Sequence, residues 1–146
     1  ELALAGLAAA RATEHELQNL ESALKRIDEA ILQGSETSEH TLRFHQLLAA
    51  AGHNAYLLQM SELLDKSRVA QFMRVENSLP DVKTGEFESH HVLLEAIRAR
   101  NPDVARAAML DHLKDAHGHE ARVNKLQREK TQFESNAGID NTRHDE

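Results

Sequence analysis

Three histidines, His45, His90 and His112, each fall on the apolar stripe of a different predicted helix. Around Phe44, the residues Leu42, His45, Leu48 and Gly52 line one face. His90 shares a face with Leu93, Leu94 and Ile97, and His112 follows Ala105, Ala108 and Met109 at helical spacing. An imidazole buried without a partner is costly. Three of them aimed at one interior are either hydrogen-bonded core residues or the ligands of a divalent metal, because neutral imidazole binds borderline metals. Of the other histidines, His15, His40, His91, His117, His119 and His144 read as solvated or locally hydrogen-bonded, and His53 falls in a predicted loop.

The chain has no H-E-x-x-H and no paired Glu-x-x-His, so the helical metalloprotease and di-iron patterns are absent. Thr41 lies one turn before His45 on the same face, where a carboxylate would complete a four-ligand set. Its hydroxyl offers only a weak neutral oxygen, and Glu39 and His40 do not share that face. A three-His site therefore leaves coordination positions for water or for the carboxylate of a small ligand.

The elements that must position these residues are helices. Leu2 through Ala10 reads as a helix buried on most sides. Thr13 and Glu16 form a T-x-x-E capping box for a second helix, whose stripe is Leu17, Leu20, Leu24, Ile27 and Ile31. Gly34 is its stop, and Ser35 is the expected cap of a third helix running to about Ala51. After a break at Gly52-His53-Asn54, with Asn54 as N-cap, a fourth helix is expected from Ala55 to Asn77, with Leu58, Leu64, Val69 and Phe72 among its apolar positions. Ser78 to Asp81 reads as a loop, and a fifth helix as Glu86 to Arg100. Asn101-Pro102-Asp103 is a cap, a first-turn proline and an N-terminal acid, opening a sixth helix to Glu134. Residues 135–146 read as a mobile polar tail, and 1–134 as one domain.

Composition agrees. Aromatic residues make up 3% of the 146, with no Trp and two Pro, so the core rests on Ala, Leu, Ile, Val and Met. The fold expected is all-α, an antiparallel bundle of six to seven helices. With no Cys there are no disulfides and no thiolate ligands, which suits a cytoplasmic setting. No segment approaches the roughly 18 continuous apolar residues of a membrane span. The formal charge of −7, without a basic stripe, makes the chain itself a poor partner for nucleic acid. It opens on Glu1 inside a helical pattern, and so reads as part of something longer.

Three segments resemble one family. Thr41 to Asn54, with Phe44-His45 at its centre, looks like a D-x-x-F-H…N segment. Ser89 to Ile97 looks like E-H-x-x-I-L-x-A-I, and Asp103 to Leu113 like A-x-x-x-M-x-x-H-L. In this order they resemble the FCD domain, the C-terminal effector-binding domain of FadR-type GntR transcription regulators, over residues 1 to about 130. The segment from Phe44 through Arg68 is similar to lactate-responsive members. The resemblance implies a homodimer that binds operator DNA through an N-terminal winged helix-turn-helix domain, absent from this chain. It also implies a divalent metal, zinc or nickel, held by one Asp and three His. The three His map onto His45, His90 and His112, and the Asp onto Thr41, which is the departure from the pattern.

The implied effector is a small carboxylate, and loss of the Asp charge favours such an anion beside the ion. Asn54 matches a family Asn, as an N-cap or a pocket residue. Arg68 either pairs with the effector carboxylate or is a solvated helix charge. Two other readings stand beside ligand sensing. One is a metal-free helical interaction domain. The other is a three-His metal-dependent enzyme, which is disfavoured because no Glu, Asp or Lys stands out as a general base on the same interior faces. The chain is expected not to be an enzyme.

Overall fold

A computed structural model describes the backbone of residues 1–79 and 83–140 and the side chains of 1–79 and 88–134. Seven helices follow one another: α1 (Leu2–Arg11), α2 (Glu14–Leu32), α3 (Ser38–Ala51), α4 (Ala55–Leu63), α5 (Asp65–Ser78), α6 (Lys83–Arg98) and α7 (Pro102–Asp140). There is no strand among the described residues, and no helix there is long and apolar enough to cross a membrane.

Helix α1 is the axis of the bundle, packing against α3, α6 and α7. Its composition explains the position: Ala5, Ala8 and Ala9 are fully buried, and side chains this small let neighbouring backbones approach closely. At Gly6 an added Cβ would lie 2.7 Å from Arg106 Nε of α7, so the arginine stem lies directly over the glycine. Around this axis close Leu17, Leu20, Leu24 and Ile27 of α2, Phe44 and Leu48 of α3, Leu93 and Ile97 of α6, and Met109 of α7. Each large apolar side chain so buried contributes roughly 1.5–3 kcal/mol.

Most boundaries follow local chemistry. Thr13 and Glu16 make the full capping box, Thr13 Oγ accepting from the Glu16 N–H and Glu16 Oε2 from the Thr13 N–H at 2.8 Å. Asn54 Oδ1 accepts from the Leu57 N–H at 3.1 Å, and Asn101 Oδ1 from the Asp103 and Val104 N–H groups. Gly34 ends α2 in the left-handed region, at φ 66°. After α3 that conformation falls to His53, at φ 48°, and not to Gly52. Gly52 serves close packing instead, since a Cβ there would meet Leu4 Cδ2 of α1 at 3.4 Å.

Two expectations are corrected. Ser35 does not cap α3. The helix starts after Thr37, and Glu76 of α5 caps it from outside: its carboxylate accepts from the Thr37 N–H at 2.9 Å and from Ser38 Oγ at 2.8 Å. The single helix expected over Ala55 to Asn77 is broken at Leu64, where the N–H turns back to Ser61 and Glu62 and the side chain is 55% exposed. The break lets α4 lie along α3 while α5 turns to reach α3 and α7 together. Pro80 and Asp81, expected in a loop, and His144 lie outside the described residues, as do 141–146 of the expected tail. Helix α7 continues through 135–140.

Candidate metal centre

Helix α3 turns Thr41, Phe44, His45 and Leu48 inward, α6 turns His90, Leu93 and Leu94, and α7 turns Ala105, Met109 and His112. The spacing of apolar residues thus carries each histidine into the core. His45, His90 and His112 are 4%, 1% and 7% exposed. One ring nitrogen from each lies within 4.8 Å of the others, and the ring centroids of His90 and His112 are 4.5 Å apart. Phe44, fully buried, presents its ring edge-on to both His45 and His90, at 5.8 and 5.2 Å. Phe72 of α5 stacks on His45 at 6.1 Å.

The donor set suits a metal. Nε2 of His45 and Nε2 of His90 are 3.3 Å apart. Two nitrogens each about 2.0–2.1 Å from a tetrahedral ion are separated by about 3.3–3.4 Å. Protonation is arranged for ligation too. Burial pushes His45 well below the ordinary histidine range, with neighbouring His90 and Arg68 adding to it. Burial, then His45, lowers His112 to about 3. Both rings are therefore neutral at pH 7, the form that binds metal.

Around the histidines is a polar fringe in which Arg68 was expected from the sequence and Glu1, Ser61, Asp65 and Ser89 were not. Glu1, at the start of α1, has Oε2 3.6 Å from His45 Nδ1 and Oε1 paired with the Arg68 guanidinium. Arg68 is 8% exposed and also donates to Ser61 Oγ at 2.9 Å and reaches Asp65 Oδ1 at 3.4 Å. Ser89 Oγ lies 3.0 Å from His112 Nδ1.

A cavity of about 240 Å³ opens onto this group, lined by Glu1, His45, Arg68, Gln71 and His112 on its polar side and by Leu64, Phe72 and Leu113 on its apolar side. At roughly 30 Å³ per water, that is room for about eight water-sized groups. Of the residues singled out beforehand, His45, His112 and Arg68 line this cavity, and His90 meets the other two histidines behind it. Thr41, 3% exposed, and Asn54, the cap of α4, are not among its lining residues. His117, read as solvated or locally hydrogen-bonded, is among its lining residues. Elsewhere His53 pairs with Glu16 at 3.0 Å and His91 with Asp28 at 3.2 Å, and neither histidine lines the cavity.

The chain resembles known proteins in sequence and in fold. The FCD domain family matches residues 1–115. A galactonate operon transcriptional repressor of Escherichia coli K12 is 31% identical over 114 residues, 75% of this chain and 48% of the repressor. An E. coli K12 protein assigned to the regulation of an L-lactate dehydrogenase operon is 36% identical over 83 residues, 55% of this chain and 32% of that protein. A solved Streptococcus agalactiae GntR superposes with a TM-score of 0.68 at 28% identity, covering 79% of this chain and 51% of that one. The chain spans about half the length of the galactonate repressor and of the solved GntR, and the curated relatives named here are regulators of operons. With the family matched from Glu1 to Asp115, the chain belongs to the FCD domain family.

Proposed function

We propose that this chain is the ligand-sensing part of a GntR-type, DNA-binding transcription regulator. A small carboxylate enters the cavity beside His45, His112 and Arg68. Zinc or nickel held by His45, His90 and His112 would supply fixed positive charge and free coordination positions for that carboxylate. Thr41 provides no anionic ligand, so the effector's own carboxylate or water completes the shell. Two relatives are named for operons of hydroxy acids, galactonate and L-lactate, and a cavity of about 240 Å³ has room for acids of that class.

An effector acts by binding one arrangement of the helices more tightly than another. Here α3, α5, α6 and α7 all contribute to the site, so the relative packing of these helices is what it biases. That change passes to an N-terminal DNA-binding domain which contacts operator DNA, within a homodimer in the cytoplasm. The observation that carries this reading is three buried imidazoles within 4.8 Å of one another, two of which, His45 and His112, line a single cavity with the Arg68 guanidinium.

The test is calorimetric titration of a panel of hydroxy, keto and sugar acids into the protein loaded with Zn²⁺ or Ni²⁺. Saturable heat from one acid class, lost in His45→Ala, is expected. The metal-free alternative has one observation in its favour: the 3.3 Å between His45 and His90 also accommodates a shared proton. Metal content below about 0.2 per chain after supplementation with zinc and nickel, together with no heat from any acid, would decide for it.

A further inference from the structure

A histidine can present Nε2 to a metal only if its other nitrogen carries the proton, so the partner of Nδ1 decides whether the ring can ligate. His45 and His112 differ in sequence context but share one arrangement: in each, Nδ1 faces an oxygen donated by a different helix. For His112 that oxygen is Ser89 Oγ, at 3.0 Å. For His45 it is Glu1 Oε2, at 3.6 Å. His45 Nδ1 is fully buried and makes no hydrogen bond, so an approach of roughly 0.7 Å by the Glu1 carboxylate would give it a bond of ordinary length. Glu1 is held in place from the far side by the Arg68 guanidinium.

We propose that Glu1 and Ser89 are the positioning residues of the centre: each accepts the Nδ1 proton of one histidine, His45 and His112 respectively, and so turns that ring's Nε2 lone pair toward the interior. This rests on the metal-centre reading and adds to it. Neither oxygen belongs to the three-His set. Both residues tie the site to more of the fold, Glu1 to α1 and, through Arg68, to the cavity wall, and Ser89 to the turn of α6 that also carries His90. A carboxylate that takes Arg68 from Glu1 thereby also alters the hold on His45.

The test is Zn²⁺ affinity of the full chain, measured by competition with a chromophoric chelator, with the Co²⁺ absorption bands as a second readout. Ser89→Ala and Glu1→Met remove the acceptors, and each is expected to weaken Zn²⁺ binding roughly 10–100-fold and to change the Co²⁺ bands. Ser89→Thr and Glu1→Gln keep an acceptor oxygen and should stay within about threefold of the native chain. A purely structural role would lower the melting temperature of the metal-free protein without moving the affinity. Affinities of Ser89→Ala and Glu1→Met within about twofold of native would overturn the proposal and leave the metal centre standing. Failure of the native chain to bind Zn²⁺ or Co²⁺ would overturn both.

Discussion

The Nε2 atoms of His45 and His90 lie 3.3 Å apart in the centre of the bundle, on helices whose contributing residues are 45 positions apart in the chain. In the metal-free protein that pair accommodates one proton between two nitrogens. The same spacing would fit one edge of a tetrahedral site, and it is set by the packing of the helices.

The ligand set predicts the order of effects on metal affinity. On the proposed three-His set, replacing His45, His90 or His112 with Ala would remove a direct ligand and is expected to weaken Zn²⁺ binding more than the roughly 10–100-fold that follows loss of an outer partner. Competition titration reads this. A variant of any of the three that binds Zn²⁺ as well as the native chain would remove that residue from the set.

Thr41→Asp is expected to strengthen the site. A carboxylate one turn before His45 adds negative charge beside the ion, so Zn²⁺ affinity should rise by at least about tenfold. The metal-free variant should melt lower than the native protein, because an unpaired carboxylate replaces a side chain that is 3% exposed. Zinc should reverse that loss. Thermal melts with and without Zn²⁺ test both signs, and a variant that melts higher without metal would contradict the placement of Thr41.

Phe44 supports the histidines mechanically. It is fully buried and touches two of the three rings. Phe44→Ala is expected to cost about 3–5 kcal/mol by urea denaturation, and to reduce metal affinity by letting His45 and His90 relax. Phe44→Leu should retain most of the stability. Metal affinity unchanged in a folded Phe44→Ala chain would show that the rings are held without it.

The α2 cap predicts an acid-sensitive contribution. Thr13→Ala should cost about 1 kcal/mol. The hydrogen bond from the Thr13 backbone holds the Glu16 carboxyl below its ordinary value of 4.5, with His53 lowering it further. A depressed folded pKa stabilises the fold above the unfolded value, and that stabilisation disappears as the pH falls through the folded one. The stability difference between the native chain and Glu16→Gln should therefore be present above the ordinary value of 4.5 and shrink as the pH falls below it, through the lowered folded value. A gap that persists at the acid end would place the effect of Glu16 elsewhere.

What could be read from the chain was short-range. The Thr13–Glu16 box, the Asn54 and Asn101 caps and the Gly34 stop each involve residues within four positions of one another, and all are present. The three histidines were legible because apolar periodicity marks which way a helix faces. The rest depended on tertiary partners. The cap of α3 is supplied by Glu76, 39 residues beyond Thr37. Nothing in the Leu63-Leu64-Asp65 run announces the break between α4 and α5. Nothing around Glu1 in the sequence points to its partner Arg68, 67 residues on.

Helix α3 is gripped at both ends by side chains of other helices. Glu76 of α5 holds Thr37 and Ser38 at the start, and Arg11 of α1 donates to the carbonyls of Gly52 and His53 at the finish, at 3.3 and 3.2 Å. His45 is near midspan. A beam clamped in this way cannot slide along its own length. A pull on His45 must be expressed as a twist of α3 about its axis, or be handed through the two clamps to α1 and α5, which makes those helices the first places to look for motion when the site fills.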